Sequence, residues 1–313
     1  MKERILVIRL SALGDLVFCF QSFHEIRQAH PDAEIALLTR PAYAAFARAM
    51  PWIDRVILDT HPTLAQPAAW VRLASEIRSF APHRIYDLQG RRRQSILYGL
   101  LGGPWGPDWS GAAPFCRFSR PWPPAPSMHF TDFLGAQLRT AGVAAAAPCD
   151  VSWCDASVDV FDLPASYVVL APGCSPKAEH KRWPPENYAQ LAGFIAAQGF
   201  GCVLIGTQED VPQTGQIKAA QPEILDLTGR TNLFELAGIL RRAACVIGND
   251  TGPVHLGAAL GTPTLALFSN ATNPAWSKPP GKRVAWRQSA SIADLPVKEA
   301  VFAFQLLVHP RSR

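Results

Sequence analysis

The sequence predicts a parallel α/β protein in two units, and three observations carry that expectation. Short apolar runs of strand length alternate with amphipathic helical stretches along the chain, the pattern of strand–helix–strand crossovers. The alternation stops between residues 102 and 126 and then resumes as a second series. The chain has 313 residues and is 48% hydrophobic, enough to bury two cores rather than one.

In the first series, strands are expected at 5–10, 34–39, 55–58 and 84–88, with helices at about 16–29 and 70–80 between them. Seven prolines and three tryptophans (Trp105, Trp109, Trp122) crowd 102–126, which reads as a loop region without regular elements. The second series places strands at 167–171, 201–205, 224–227, 245–248 and 264–268. The join falls near 150–165. This gives a first domain over 1–155, a second over 156–296, and a last helix within 297–313 that crosses back onto the first domain. There is no repeat of 20–50 residues.

Composition narrows the partners. A formal net charge of +5 favours an anionic ligand or surface without selecting one. No aromatic-interleaved basic stripe or recognition motif points to nucleic acid. The seven cysteines lack CxxC and zinc spacing, as expected for reduced thiols in a cytoplasmic protein. Arg9 and Asp15 interrupt the apolar N-terminal run, unlike a signal peptide. No stretch is long enough to span a bilayer, so membrane contact would be peripheral.

Four places carry chemistry. In Gly248-Asn249-Asp250-Thr251-Gly252-Pro253-Val254-His255, a buried strand ends in a turn and a helix starts near Pro253. The Thr251 and Gly252 amides at that helix start suit a phosphate, with the Asp250 carboxylate and His255 imidazole beside them. Arg9-Leu10-Ser11-Ala12-Leu13-Gly14-Asp15 closes the first strand, at the sheet end where ligands gather in parallel folds. Read alone, Asp15 is equally an ordinary helix cap. Ala171-Pro172-Gly173-Cys174-Ser175 leads into a basic loop with Lys181. Here Ser175 can donate to a phosphate and Lys181 can neutralise it, unless the loop is simply solvated. Glu209, after the strand at 201–205, is placed to accept ribose hydroxyls or to sit at a helix start.

Together these segments resemble glycosyltransferase family 9, the heptosyltransferases of lipopolysaccharide core assembly, over nearly the whole chain. The resemblance rests on 5–15, on Lys181-Arg182-Trp183-Pro184, on Leu227-Thr228-Gly229, on 249–255, and on Asp87-Leu88-Gln89-Gly90. It implies a GT-B fold, two doubly wound domains facing one another across a cleft, with acceptor in the first and an ADP-sugar donor, ADP-heptose in this family, in the second. Transfer would be inverting and would need no metal or other cofactor. Asp15 would be the general base. Lys181 and the Thr251 and Gly252 amides would stabilise the departing diphosphate, Asp250 would hold donor hydroxyls or order its loop, His255 would assist at the phosphates, and Glu209 would grip the ribose. Arg91, Arg92 and Arg93 follow the strand at 84–88 and either bind the carboxylates and phosphates of a glycolipid acceptor or form a solvated turn. Such an acceptor goes with a place on the cytoplasmic face of the inner membrane. The chain departs from the family pattern after Phe268, where Ser269-Asn270-Ala271 replaces a Gly-x-Thr turn, and after Pro280, where a cysteine-bearing insert is missing. The alternative is a non-catalytic sugar-nucleotide-binding or scaffold protein of the same fold.

Overall fold

The computed structural model describes residues 2–309, the side chains of Pro176 and Lys177 excepted. The chain divides after Trp153 into two compact units. The first contains β1 (Arg4–Ile8), β2 (Glu34–Thr39), β3 (Arg55–Leu58), β4 (Arg84–Asp87), β5 (Asp108–Gly111) and β6 (Phe118–Ser119). The second contains β7 (Tyr167–Ala171), β8 (Gly201–Leu204), β9 (Leu225–Asp226), β10 (Cys245–Asn249), β11 (Thr264–Ser269) and β12 (Val284–Ser289).

Every strand pairing is parallel, in the orders β3-β2-β1-β4-β5-β6 and β12-β11-β10-β7-β8-β9. Counted from its own first strand, each unit has the order 3-2-1-4-5-6 of doubly wound dinucleotide-binding sheets. Helices cover both faces of such a sheet, so the central strands need apolar residues at consecutive positions. Accordingly Ile5–Ile8, β7, β10 and β11 are buried throughout.

Three expectations are corrected. The stretch 102–126 is not all loop: it holds β5, β6 and a short helical turn at Gly103–Trp105. Strands of four and two residues near a sheet edge tolerate flanking prolines, so their signal was weak. Trp109 on β5 is 1% exposed, whereas Trp105 and Trp122 are 93% and 74% exposed. The single helix expected at 16–29 is two consecutive helices, Leu13–Phe18 and Phe20–Ala29.

The last helix, Val297–Val308, is part of the second unit, which therefore runs past the expected boundary at 296. It lies on the helix Pro185–Ala197 and against β10, β11 and β12. Ala300, Ala303, Phe304 and Leu307 form one apolar face within the core that holds Val168, Leu170, Ile247 and Leu265. The helix directly follows β12 and a short turn, so covering the sheet it has just left is the shortest connection. Residues 310–313 of that expectation lie outside the described residues. No helix among the described residues is long and apolar enough to cross a membrane.

Phe304 is fully buried and meets Phe200 edge-on, ring centroids 5.9 Å apart. Phe304→Ala should cost about 3–5 kcal/mol, lowering the calorimetric transition of the second unit. An unchanged thermogram would remove this helix from that core.

Candidate functional site

In a sheet of this order the chain leaves strands 1 and 4 in opposite directions, and the loops beyond their carboxyl ends part to leave a crevice. The crevice strands are β1 and β4 in the first unit, with Ile8 opposite Asp87, and β7 and β10 in the second, with Ala171 opposite Gly248.

In the first unit, Arg9 emerges from β1 and is 3% exposed. Its Nη1 donates to the Leu88 carbonyl at 2.5 Å, and its Nη2 lies 2.9 Å from Asp15 Oδ1. Asp15 sits at the third position of the helix Leu13–Phe18 and its Oδ2 accepts the Ala12 N–H at 3.1 Å. The carboxylate thus caps its helix and also lines a cavity of about 210 Å³ with Ser11, His61, Gln89, Arg91, Arg93 and Gln94.

The three arginines separate. Arg91, at the start of the helix Arg92–Leu100, is exposed and lines this cavity. Arg92 is exposed and is not in its lining. Arg93 also lines it but is bound to the fully buried Asp59 by two bonds of 2.6 and 2.8 Å, with its guanidinium 4.3 Å from the Trp70 ring centroid. Such a planar, bidentate, stacked geometry suits arginine and not lysine.

A second cavity, of about 470 Å³, opens beyond β4, β5 and β6, and Arg120 lines it beside the exposed rings of Phe115 and Trp122. Arg120 Nη2 donates to the Asp87 carbonyl at 3.0 Å. Gly90 has φ +60°, a left-handed backbone that favours glycine, and a Cβ there would displace the Arg120 guanidinium, 2.2 Å away. Burial pushes the Asp87 carboxyl up to about 6, against the pull of the Gly90 amide and Arg120.

In the second unit, Asp250 follows β10 and is buried. Its Oδ2 lies 2.6 Å from Lys181 Nζ and its Oδ1 accepts from His255 Nε2 at 3.1 Å. Burial works to raise the Asp250 carboxyl, but the hydrogen bond and charge of His255, with the Lys181 ammonium, outweigh it and leave the group below its ordinary value. His255 is itself buried on the helix Gly252–Ala259, so it backs Asp250 rather than lying open to solvent. Thr251 stands at the start of that helix with its hydroxyl on the Asn249 carbonyl, so it makes no side-chain cap, and the first amides have no intrahelical acceptor by geometry. Lys181 is partly exposed, a cation in front of an N-terminus that already favours anions.

Asn249 builds this arrangement. It is fully buried, accepts from the Trp183 N–H at 3.2 Å and the Tyr188 hydroxyl at 3.0 Å, and donates to the Pro172 carbonyl at 2.7 Å. One amide therefore ties the end of β10 to the loop after β7 and to the segment carrying Lys181. Ser175 and Glu209 are both exposed, the first in that loop and the second just past β8. Asp210, next to Glu209, is instead buried and accepts from Thr207, and a Cβ on Gly173 would strike its carboxylate at 2.5 Å.

The structural roles of Arg9, Asp59, Asn249 and Arg120 were missed in the sequence. Asn249 had a signal, since a polar residue directly after an apolar strand is forced into a buried position and must find partners. The Asp59–Arg93 pair had none. Among the described residues no group of three or more His, Cys, Asp or Glu side chains could hold a metal ion.

A family model described as glycosyltransferase family 9 (heptosyltransferase) matches residues 134–299. Lipooligosaccharide heptosyltransferase 2 of Haemophilus influenzae is 36% identical over 115 residues, covering 34% of this chain and 33% of that protein. The chain therefore spans about a third of that relative's length in the match. Lipopolysaccharide heptosyltransferase 2 of Escherichia coli is 23% identical over 290 residues, covering 85% of this chain and 82% of that protein. The solved structure of E. coli ADP-heptose lps heptosyltransferase II superimposes with a TM-score of 0.78 at 20% identity, covering 98% of each chain, so the fold is of the GT-B type.

The lowered Asp250 carboxyl makes a pH prediction. A group whose native value lies below its unfolded value near 3.8 contributes stability that is complete above that value and is lost as the pH falls through the native one. Asp250→Asn should therefore lower the urea midpoint at pH 7 and reduce its further decline between about pH 4 and pH 2. Parallel declines in wild type and variant would show that Asp250 is not held ionised by its neighbours.

Proposed function

The chain belongs to glycosyltransferase family 9, and we propose that it moves a heptose, or a related sugar, from an ADP-sugar to the lipopolysaccharide inner core or a similar anionic glycolipid. The observation that carries this reading is the Lys181–Asp250–His255 cluster at the start of the helix Gly252–Ala259, a place built for a diphosphate. ADP-heptose is named for the E. coli structure of the same fold, and lipopolysaccharide for the E. coli relative matched over most of its length.

The transfer is a single displacement that inverts the anomeric centre. An acceptor hydroxyl oxygen forms a bond to the anomeric carbon, the bond from that carbon to the diphosphate oxygen breaks, and the hydroxyl proton passes to the Asp15 carboxylate. Negative charge grows on the leaving diphosphate, where Lys181 and the Thr251 and Gly252 amides meet it without a metal ion. Asp250 orients Lys181 and presents a carboxylate to donor hydroxyls. His255 holds Asp250, which replaces a direct role at the phosphates. Ser175 donates to the diphosphate and Glu209 accepts from the ribose.

On the acceptor side, Arg91 at the Asp15 cavity and Arg120 at the larger one meet carboxylates or phosphates, Arg92 acts from the rim, and Arg93 shapes the wall through Asp59. The exposed Phe115 and Trp122 beside Arg120 suit peripheral contact with the cytoplasmic face of the inner membrane, where such an acceptor would be met.

Thermal melts with ADP-heptose, ADP, UDP, GDP and UDP-sugars test the donor. ADP-heptose at ~100 times its dissociation constant should add roughly 2.7 kcal/mol, and preference for a UDP- or GDP-sugar would assign another donor. Asp15→Ala should keep that stabilisation and lose ~10²–10⁴-fold in turnover. Donor binding without turnover on any acceptor would leave a non-catalytic sugar-nucleotide-binding protein.

A further inference from the structure

We infer that Arg9 is the positioning residue of the Asp15 carboxylate, an inference that rests on Asp15 acting as the base. The Arg9 backbone still belongs to the sheet, its N–H donating to the Leu38 carbonyl at 3.1 Å. Its side chain then spans the crevice of the first unit. One branch of the guanidinium holds the Leu88 carbonyl, the first past β4, and the other holds Asp15 Oδ1. The Phe130 ring lies 5.4 Å from the guanidinium carbon and limits its position from one side.

Asp15 is held at both oxygens, by Arg9 at 2.9 Å and by the Ala12 amide at 3.1 Å. These two contacts fix the plane of the carboxylate. A carboxylate offers about four acceptor positions, so two stay open, and the Asp15 side chain is 37% exposed. The Ala12 contact alone would leave the carboxylate free to turn about that bond. Arg9 removes the turn and anchors the carboxylate to the opposite wall of the crevice. Orientation set before the acceptor arrives is not lost again at the moment of reaction. A purely structural arginine needs only the carbonyl. A lysine, a single point charge on a flexible stem, cannot hold carbonyl and carboxylate in this fork.

The test compares Arg9→Met and Arg9→Lys, each alone and combined with Asp15→Asn, in the donor-plus-acceptor assay with a melt on every variant. A hydrogen bond to a charged group corresponds to roughly 10–100-fold in rate. Arg9→Met should lower kcat by that factor while the donor KM stays within about 2-fold. Arg9→Lys should fall between it and wild type, and it carries the comparison if Arg9→Met does not fold. Neither change should slow Asp15→Asn further, because the carboxylate being positioned is gone.

Wild-type kcat in folded Arg9→Met and Arg9→Lys, beside an inactive Asp15→Asn, would overturn the positioning role and leave the base in place. An equal fractional loss with and without Asp15→Asn would overturn it too, because Arg9 would then act elsewhere. Wild-type turnover by Asp15→Asn would remove the base and its positioning together.

Discussion

Parallel strands cannot be joined by a tight turn, and each crossover must pass over one face of the sheet in a right-handed sense. A chain that winds outward from the middle in both directions therefore leaves two central strands whose loops have no reason to touch. Asp15 follows β1, and Lys181 and Asp250 follow β7 and β10, strands that border those two gaps, β1 beside β4 and β7 beside β10. The crevice is a product of the winding. What the sequence adds is the set of side chains that span it.

In both units a buried polar side chain makes that span. Arg9 joins the end of β1 to the carbonyl after β4, and Asn249 joins the end of β10 to the carbonyls after β7. Each is adjacent in space or sequence to a carboxylate whose place matters, Asp15 in one unit and Asp250 in the other. Burial makes the bridges demanding, because a guanidinium or amide stripped of water costs far more without its partners than it contributes with them. The two bridges differ in chemistry. Asn249 is neutral and ties backbone to backbone, while Arg9 carries charge and ties backbone to a carboxylate.

The repeating elements were readable because local pattern determines them. β2, β3 and β7 fall on the expected residues, and the other expected strands differ by one or two. β5, β6 and β12 were not seen: the first two are short and proline-flanked, and β12 is half-buried along its length, without the apolar run that marks a central strand. Motif positions were legible for the same reason, since a strand end followed by glycine and a helix start is local. The partner of a side chain is not. Arg91, Arg92 and Arg93 looked alike in sequence, and only the meeting with Asp59, 34 positions away, separates Arg93 from the others. Glu209 stood out in the sequence and its neighbour Asp210 did not, yet it is Asp210 that is buried, with Gly173 passing against its carboxylate.

The placement of the last helix sets the order in which the molecule can be completed during synthesis. The first unit is continuous in sequence and has every strand of its sheet once residue 153 has left the ribosome. The second cannot cover one face of β10 and β11 until residues 297–308 emerge, since Ala300, Ala303, Phe304 and Leu307 belong to that core. β11 is itself complete at residue 269, 39 residues before the end of that helix, and at 5–20 residues per second roughly 2–8 seconds separate those two points. During that interval a finished first unit is tethered to a sheet with an uncovered apolar face, the state in which a nascent chain depends most on chaperones.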